Sequence, residues 1–347
     1  MPKKELASDI IQRDALDICQ KTNLNYLKGK TILVTGASGL LGTYFLASLK
    51  KYADLNKCAI KIIAVVYNQL PGHLNIYKKD KRFSFLRGDL TNHNFLAKLP
   101  KADIIIHSAG YAQPGRFLDD KIRTLKINTL ATFFLLEKLK KNGRFLFVST
   151  SELYSGANDP PFKESDIGST GPDHPRACYI ESKRCGEAVS LGYREKGYDI
   201  KIARLALAYG PGTRKNDQRV LNSLIQKAME NKKINLMDQG EAVRTYCYIA
   251  DVIETLWKIL LFGREAVYNV GGTSKIKIYD LAKKIGEILN VPVIKPHKDL
   301  SLAGAPKEVE LDLSRIEKEF KKKKFIRLDR GLQNTICWQK KNIFHQN

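Results

Sequence analysis

Tyr179 and Lys183 stand four residues apart in the run Tyr179-Ile-Glu-Ser-Lys183, and on a helix that spacing puts a phenol and an ammonium on one face. A tyrosine ionises near about 10 and is a poor base at neutrality, but a nearby positive charge stabilises phenolate and lowers the value. Such a pair could move a proton. The spacing by itself is common, and two solvated helix residues would account for it equally well. Its company changes the reading: a glycine-rich turn near the start of the chain, and Ser149-Thr150-Ser151-Glu152 between the two.

The elements that must position these residues follow in a regular order. Lys30 to Thr35 reads as a buried parallel strand that runs into Gly36-Ala-Ser38-Gly39-Leu40-Leu41-Gly42 and then into an amphipathic helix through Leu49. Strand, glycine turn and helix in that order are the context in which small residues let a backbone approach a pyrophosphate at a helix N-terminus. The spacing here is GxxGxxG, and a tight structural turn is the alternative. A second strand, Ile60 to Val66, ends at Tyr67-Asn68, where dinucleotide folds usually carry an acid for the adenosine ribose, so the choice between NAD and NADP stays open. Further strands are expected at Phe83 to Leu86, Ala102 to His107, Arg144 to Ser149 and Ile200 to Leu207. After the third strand, Asp89 could hydrogen-bond an adenine or cap the segment that starts at Thr91. Strands alternating with helices imply an α/β fold with a doubly wound parallel sheet, and ligands at the carboxyl ends of its strands.

The composition of the 347 residues, 43% apolar and 27% charged, fits a soluble globular chain. No stretch resembles a membrane span, and the charged N-terminus MPKKELASDIIQRD lacks an apolar signal core, so a cytoplasmic protein is expected. Six scattered cysteines without a CxxC pair read as reduced thiols, with no metal site. The 59 basic residues against 36 acids give +23, which favours polyanionic partners such as phosphorylated substrates. No nucleic-acid-binding signature accompanies the charge, and no nucleic-acid or membrane partner is expected.

Residues 1–28 read as a helical extension built on Ile10, Ile11, Ala15, Leu16 and Ile18, a helix for packing or for contact between copies. Residues 29–209 read as the dinucleotide-binding domain, with 243–271 returning to it. Residues 210–242 and 272–347 read as a smaller, interleaved lobe that holds substrate.

The ordered set Gly36, Gly39, Gly42, Thr150, Tyr179, Lys183, Tyr209-Gly-Pro211, Arg244 and Tyr268-Asn-Val-Gly271 resembles the extended short-chain dehydrogenase/reductases that act on nucleotide sugars, over roughly residues 29 to 320. Ser108 to Phe117, Ser149 to Tyr154 and Pro175 to Arg184 are similar to UDP-glucuronate decarboxylases, and the second of these is also similar to GDP-mannose 4,6-dehydratases. The resemblance implies oxidation at C4 of a nucleotide-linked sugar by bound NAD, with Tyr179 removing the hydroxyl proton, Lys183 holding the nicotinamide ribose and lowering the tyrosine pKa, and Thr150 hydrogen-bonding the reacting oxygen. It assigns the coenzyme to Gly36, Ser38, Gly39, Leu40, Leu41, Gly42, Asp89, Leu90, Ala109, Asn128, Tyr179 and Lys183, and the substrate to Ser151, Arg219 and Arg244. It places Glu152 beside C5 and C6, where a carboxylate could steer the 4-keto intermediate; capping a turn is the plainer role. It also implies a homodimer.

Three outcomes share that intermediate: loss of CO2 from a hexuronate, elimination of water, and epimerisation. Decarboxylation of a UDP-hexuronate is the leading reading, a 4-epimerase or 4,6-dehydratase the alternative, and a non-catalytic dinucleotide- or nucleic-acid-binding protein the remote one. Two departures bear on the choice. Leu207 stands where the decarboxylases carry an asparagine, and Val309 replaces an arginine, a charged donor that valine cannot mimic, with Lys307 nearby but out of register. Ser151, where many 4,6-dehydratases have an aspartate, disfavours the dTDP-glucose type.

Overall fold

A computed structural model describes residues 7–215, 217–296 and 308–344; Lys307 lies outside them. The first half of the chain alternates strand and helix. Helix α1 (Ala7–Lys21) is followed by β1 (Thr31–Thr35), α2 (Leu40–Asn56), β2 (Lys61–Val66), β3 (Phe83–Arg87) and α3 (His93–Lys98). Next come β4 (Ala102–His107), α4 (Pro114–Asp119), α5 (Lys121–Asn128), α6 (Leu130–Glu137), β5 (Leu139–Thr150), α7 (Ala177–Glu195) and β6 (Asp199–Leu205).

The second half runs β7 (Leu207–Tyr209), α8 (Val220–Asn231), β8 (Ile234–Asn235), β9 (Val243–Tyr248), α9 (Ile249–Phe262) and β10 (Val267–Val270). It ends with β11 (Ser274–Lys277), α10 (Ile278–Leu289), β12 (Val293–Ile294), β13 (Glu308–Val309), α11 (Ser314–Phe320) and α12 (Leu328–Gln339).

Seven parallel strands form the large sheet in the order β10-β6-β5-β4-β1-β2-β3. The chain starts in the middle, at β1, and winds outward both ways, so the strand order reverses between β1 and β4 and leaves a crevice at their carboxyl ends. The β1 sequence shows why the sheet is covered on both faces. Ile32 and Val34 enter one apolar core with α1, α2 and α9, while Leu33 enters the other with Ile63, Ile105, Phe145 and Phe147.

The smaller lobe is built on β9, which pairs with β11, β13 and β7. The sequence predicts that 243–271 returns to the large sheet as a block. In the structure α9 and β10 do so, whereas β9 belongs to the small sheet. The break at Ala206 separates β6 from β7 and hands the chain from one sheet to the other.

Helix α1, for which the sequence offered packing or contact between copies, packs within this chain: Ile10, Ile11, Ala15 and Ile18 are buried. Asp14 sits in that interface and accepts hydrogen bonds from the phenols of Tyr44 on α2 (2.9 Å) and Tyr248 on β9 (2.7 Å). One carboxylate thus ties the extension to the glycine-turn helix and to the small lobe. Burial raises its pKa, against the pull of the two phenols. Asp14→Ala leaves two buried donors unpaired, and a loss of about 2–4 kcal/mol in unfolding free energy is expected by denaturant titration.

Asp14→Asn keeps both acceptor contacts and removes the buried charge. Because the folded-state pKa lies above the unfolded one, the wild type loses stability as pH rises through it. The asparagine variant is therefore expected to be the more stable at neutral pH, with the gap closing as pH falls toward the ordinary aspartate value.

Candidate active site

A cleft of about 370 Å³ opens at the carboxyl ends of the central strands and is lined by the glycine turn, the β4–α4 loop, Ser149–Glu152, Tyr179 and Lys183. That volume is in the range of small-molecule sites, about 300–1,000 Å³. Residues far apart in sequence meet here because each lies just beyond the carboxyl end of a sheet strand or on the helix that covers those ends.

At the mouth of β1, Gly36 has φ +67° and a Cβ there would lie 2.7 Å from the Ser108 carbonyl oxygen, so both the turn and the approach of the β4 loop demand glycine. Gly39 caps α2 without any side-chain hydrogen bond to the first-turn amides, and the first turn holds no acidic residue. Those amides, with Ser38, Leu40 and Leu41, border the cleft, an arrangement that suits a pyrophosphate. Gly42, expected to contact the coenzyme, does not line the cleft. A Cβ at that position would come within 2.5 Å of Ala37 Cα, so its role is to let α2 pack against the turn.

Arg214, which no sequence motif singled out, donates from Nη2 to Ser38 Oγ (2.7 Å). Burial, and then Arg116, lower its pKa. Both arginines line the cleft, so two guanidinium groups stand on the side of Ser38.

Beyond the carboxyl end of β3, Asp89 closes a turn, its Oδ1 accepting from the Thr91 amide and hydroxyl at 2.8 Å each; the cap of α3 itself is Asn92, whose side chain accepts from the Phe95 amide. The Oδ2 of Asp89 pairs with Arg123 at 2.7 Å. Burial would raise the Asp89 pKa, but Thr91 and Arg123 outweigh it and hold the carboxyl low. Asp89, Leu90 and Ala109 all line the cleft, as do Tyr67 and Asn68.

Asn128 is fully buried behind the cleft rather than in its lining. It donates from Nδ2 to Ser182 Oγ (2.9 Å) and to the Thr124 carbonyl oxygen (3.1 Å), and its Oδ1 has no partner. A Cβ placed on Gly110 would sit 3.5 Å from that oxygen and 3.7 Å from Lys183 Nζ, so acceptor and donor converge on the same glycine. An orphaned buried acceptor beside a buried ammonium is consistent with a polar coenzyme group completing the set.

Helix α7 delivers Tyr179 and Lys183 to the cleft. The Tyr179 ring stacks on Phe117, with centroids 4.7 Å apart and planes 4° from parallel. Glu187, one helical turn beyond Lys183, is bound by Arg204 of β6 (2.8 Å) and Ser149 of β5 (2.5 Å), which fixes the helix against the sheet. Arg204 also donates to the Tyr154 hydroxyl (3.0 Å), and that hydroxyl donates to Asn269 (2.7 Å), so the 149–154 segment and β10 join the same network.

Burial raises the Tyr179 phenol to about 12, while the Thr150 hydroxyl, Arg176 and Arg219 pull it down. The Lys183 ammonium shares the helix face but turns to the Val148 carbonyl oxygen at 2.6 Å, the acceptor a buried charge requires, and burial depresses it to about 7.

Thr150 Oγ accepts from the Glu152 amide (3.2 Å) and so caps the turn Ser151–Tyr154 itself. The hydroxyl proton of Thr150 is left to donate, and Glu152 is relieved of the capping role. The Glu152 carboxylate instead pairs with Arg176 at 2.5 Å. Burial raises its pKa, and Arg176 and Arg244 oppose the rise.

Ser151 and Arg219 line the cleft, the latter held by Asp217 (2.5 Å). Arg244 does not line it. That residue lies on β9 in register with Val309 and reaches the site through its charge, which acts on Glu152. Leu207, at the position of the missing asparagine, contributes apolar lining.

The family described as NAD dependent epimerase/dehydratase family matches residues 32–271. Among curated proteins, the chain is 28% identical over 310 residues to UDP-glucuronic acid decarboxylase 6 of Arabidopsis thaliana, covering 87% of this chain and 86% of that one. It is 26% identical over 326 residues to UDP-glucuronic acid decarboxylase 1 of Xenopus tropicalis, covering 91% and 74%.

Among solved structures, a dTDP-glucose 4,6-dehydratase from Streptomyces venezuelae with NAD bound superimposes with a TM-score of 0.78 at 24% identity, over 90% of this chain and 97% of that one. A UDP-glucuronic acid 4-epimerase from Bacillus cereus, in complex with UDP-glucuronic acid and NAD, gives a TM-score of 0.75 at 24% identity, over 90% and 99%. At that identity the structural likeness speaks for the fold.

Proposed function

The chain belongs to the NAD-dependent epimerase/dehydratase family and is an enzyme, and from that premise we propose that it converts a nucleotide sugar through a 4-keto intermediate, decarboxylating a UDP-hexuronate. The observation that carries the reading is the convergence of Thr150, Glu152, Tyr179 and Lys183 on the cleft that also holds the glycine turn. The relatives named as decarboxylases support the choice of reaction.

The coenzyme would lie along the glycine turn, with its pyrophosphate on the first-turn amides of α2 beside Ser38 and Arg214, and its nicotinamide end toward Gly110, Asn128 and Lys183. When bound, NAD supplies a reversible hydride acceptor for C4. Tyr179 removes the C4 hydroxyl proton and later returns it. In the free protein the one hydroxyl proton of Thr150 serves the Tyr179 phenol and favours its ionised form; with substrate bound, that proton is donated to the C4 oxygen. Arg116, Arg214 and Arg219 give the cleft the positive potential that a nucleotide diphosphate needs.

Glu152 faces the sugar beyond C4. With a carboxylate at C6 the 4-keto sugar is a β-keto acid that loses CO2, and Glu152 with Arg176 governs the proton that C5 must then receive. The Val309 departure favours a second reading, 4-epimerisation or 4,6-dehydration, because the arginine that valine replaces is absent from β13. Ile122 and Phe133 stand exposed on α5 and α6 (64% and 45%), which fits the homodimer that goes with this reading, as does a cytoplasmic location.

Incubation of the protein with NAD+ and a panel of UDP- and GDP-sugars, read by product mass, tests the proposal. Loss of CO2 from UDP-glucuronate supports it. Loss of water from a hexose, or an isomer of unchanged mass, selects the second reading.

A further inference from the structure

The carboxyl end of β2 is where an adenosine ribose is read in this class of fold, and an acid there both binds the ribose diol and repels a 2′-phosphate. This chain has Tyr67 in that place, half exposed, with the Arg123 guanidinium 4.2 Å above its ring. Among the described residues, the carboxylate that lines this end of the cleft is Asp89. Its oxygens already accept from Thr91 and pair with Arg123, so its charge is balanced by a guanidinium at this end of the cleft. The Nε of Arg123 is buried and has no hydrogen-bond partner.

Next to this end lies a second hollow, bounded by Val66, Asn68, Lys78 and Arg87 among others, with no acidic residue in its lining. Asn68 lines both the hollow and the main cleft and so stands between the two. Arg87 ends β3 in register with Val66, the last residue of β2. Neither Arg87 nor Lys78 forms a salt bridge or side-chain hydrogen bond among the described residues, and both are exposed. Two uncommitted cations therefore flank the place where a ribose 2′ substituent would emerge, and the acid that would repel such a substituent is missing.

We propose that the adenosine end of the cleft accepts a 2′-phosphorylated coenzyme, so that the protein takes NADP+ as well as NAD+, with Arg87 and Lys78 as the partners of the extra phosphate. The inference rests on the coenzyme reading given above. A phosphate monoester dianion suits the forked guanidinium of Arg87 and the point charge of Lys78, and each contact is charge-assisted.

Isothermal titration of the full chain, stripped of nucleotide, with NAD+, NADP+, 5′-AMP and 2′,5′-ADP tests this without turnover. NADP+ is expected to bind within about tenfold of NAD+, and 2′,5′-ADP at least as tightly as 5′-AMP, since each charge-assisted contact offsets about one decade of affinity. Arg87→Glu is expected to weaken NADP+ about tenfold more than it weakens NAD+, and Tyr67→Asp to move the ratio the same way by restoring a carboxylate.

NADP+ binding more than about tenfold weaker than NAD+ in the wild type would overturn the proposal and leave the NAD reading intact. So would an NADP+/NAD+ ratio unmoved by both variants. Failure of NAD+ itself to bind would instead remove the coenzyme reading on which the proposal depends.

Discussion

Tyr179→Phe is expected to lower kcat by about 10²–10⁴-fold, the range for a positioned general acid–base group, with KM little changed. The phenyl ring keeps its stack on Phe117, so the thermal melt should match the wild type and the loss can be assigned to the hydroxyl. Burial holds the free phenol up at about 12. In the proposed reaction the reactive form is the phenolate, whose fraction grows as pH approaches that value from below. Wild-type turnover should therefore rise through neutral pH, and the rising limb should vanish in the phenylalanine variant.

The second large effect is expected at Glu152→Gln. The amide is nearly isosteric and its oxygen can still accept from Arg176, but it carries no charge and cannot take up or give a proton at this pH. Product formation should fall by about 10²-fold or more, while oxidation at C4, read as absorbance of reduced nicotinamide, continues and the signal accumulates. Product formed at the wild-type rate would remove Glu152 from the chemistry and return it to a partner of Arg176 alone.

Much of this arrangement could be read along the chain. The parallel strands announce themselves through runs such as Thr31–Thr35 and Ala102–His107, apolar on both faces because helices cover both. The turn at Gly36 is legible because only glycine accepts its φ and the nearness of Ser108. Tyr179 and Lys183 are legible because helical spacing is local.

What escaped notice depends on contacts that no local pattern encodes. Arg176, Arg214 and Arg123 are three among many basic residues, and only the tertiary fold sets them on Glu152, Ser38 and Asp89. The α1 extension looked uncommitted because Asp14 finds Tyr248 across 234 residues of sequence. The side chain of Lys183 could be placed on the right face, but not aimed: a backbone carbonyl at the end of β5 decides where a buried ammonium points. Gly42 followed the spacing of a coenzyme motif, yet its constraint is the closeness of α2 to its own turn.

In the proposed reaction Tyr179 deprotonates the C4 hydroxyl while C4 gives up its hydrogen inside this cleft. Stopped-flow mixing of NAD+-loaded protein with UDP-glucuronate, either unlabelled or carrying deuterium at C4, tests it most directly. A transient of reduced nicotinamide is expected before product appears, slowed by the deuterium and absent in Tyr179→Phe. Product that forms with no such transient and at the same rate from both substrates would contradict it.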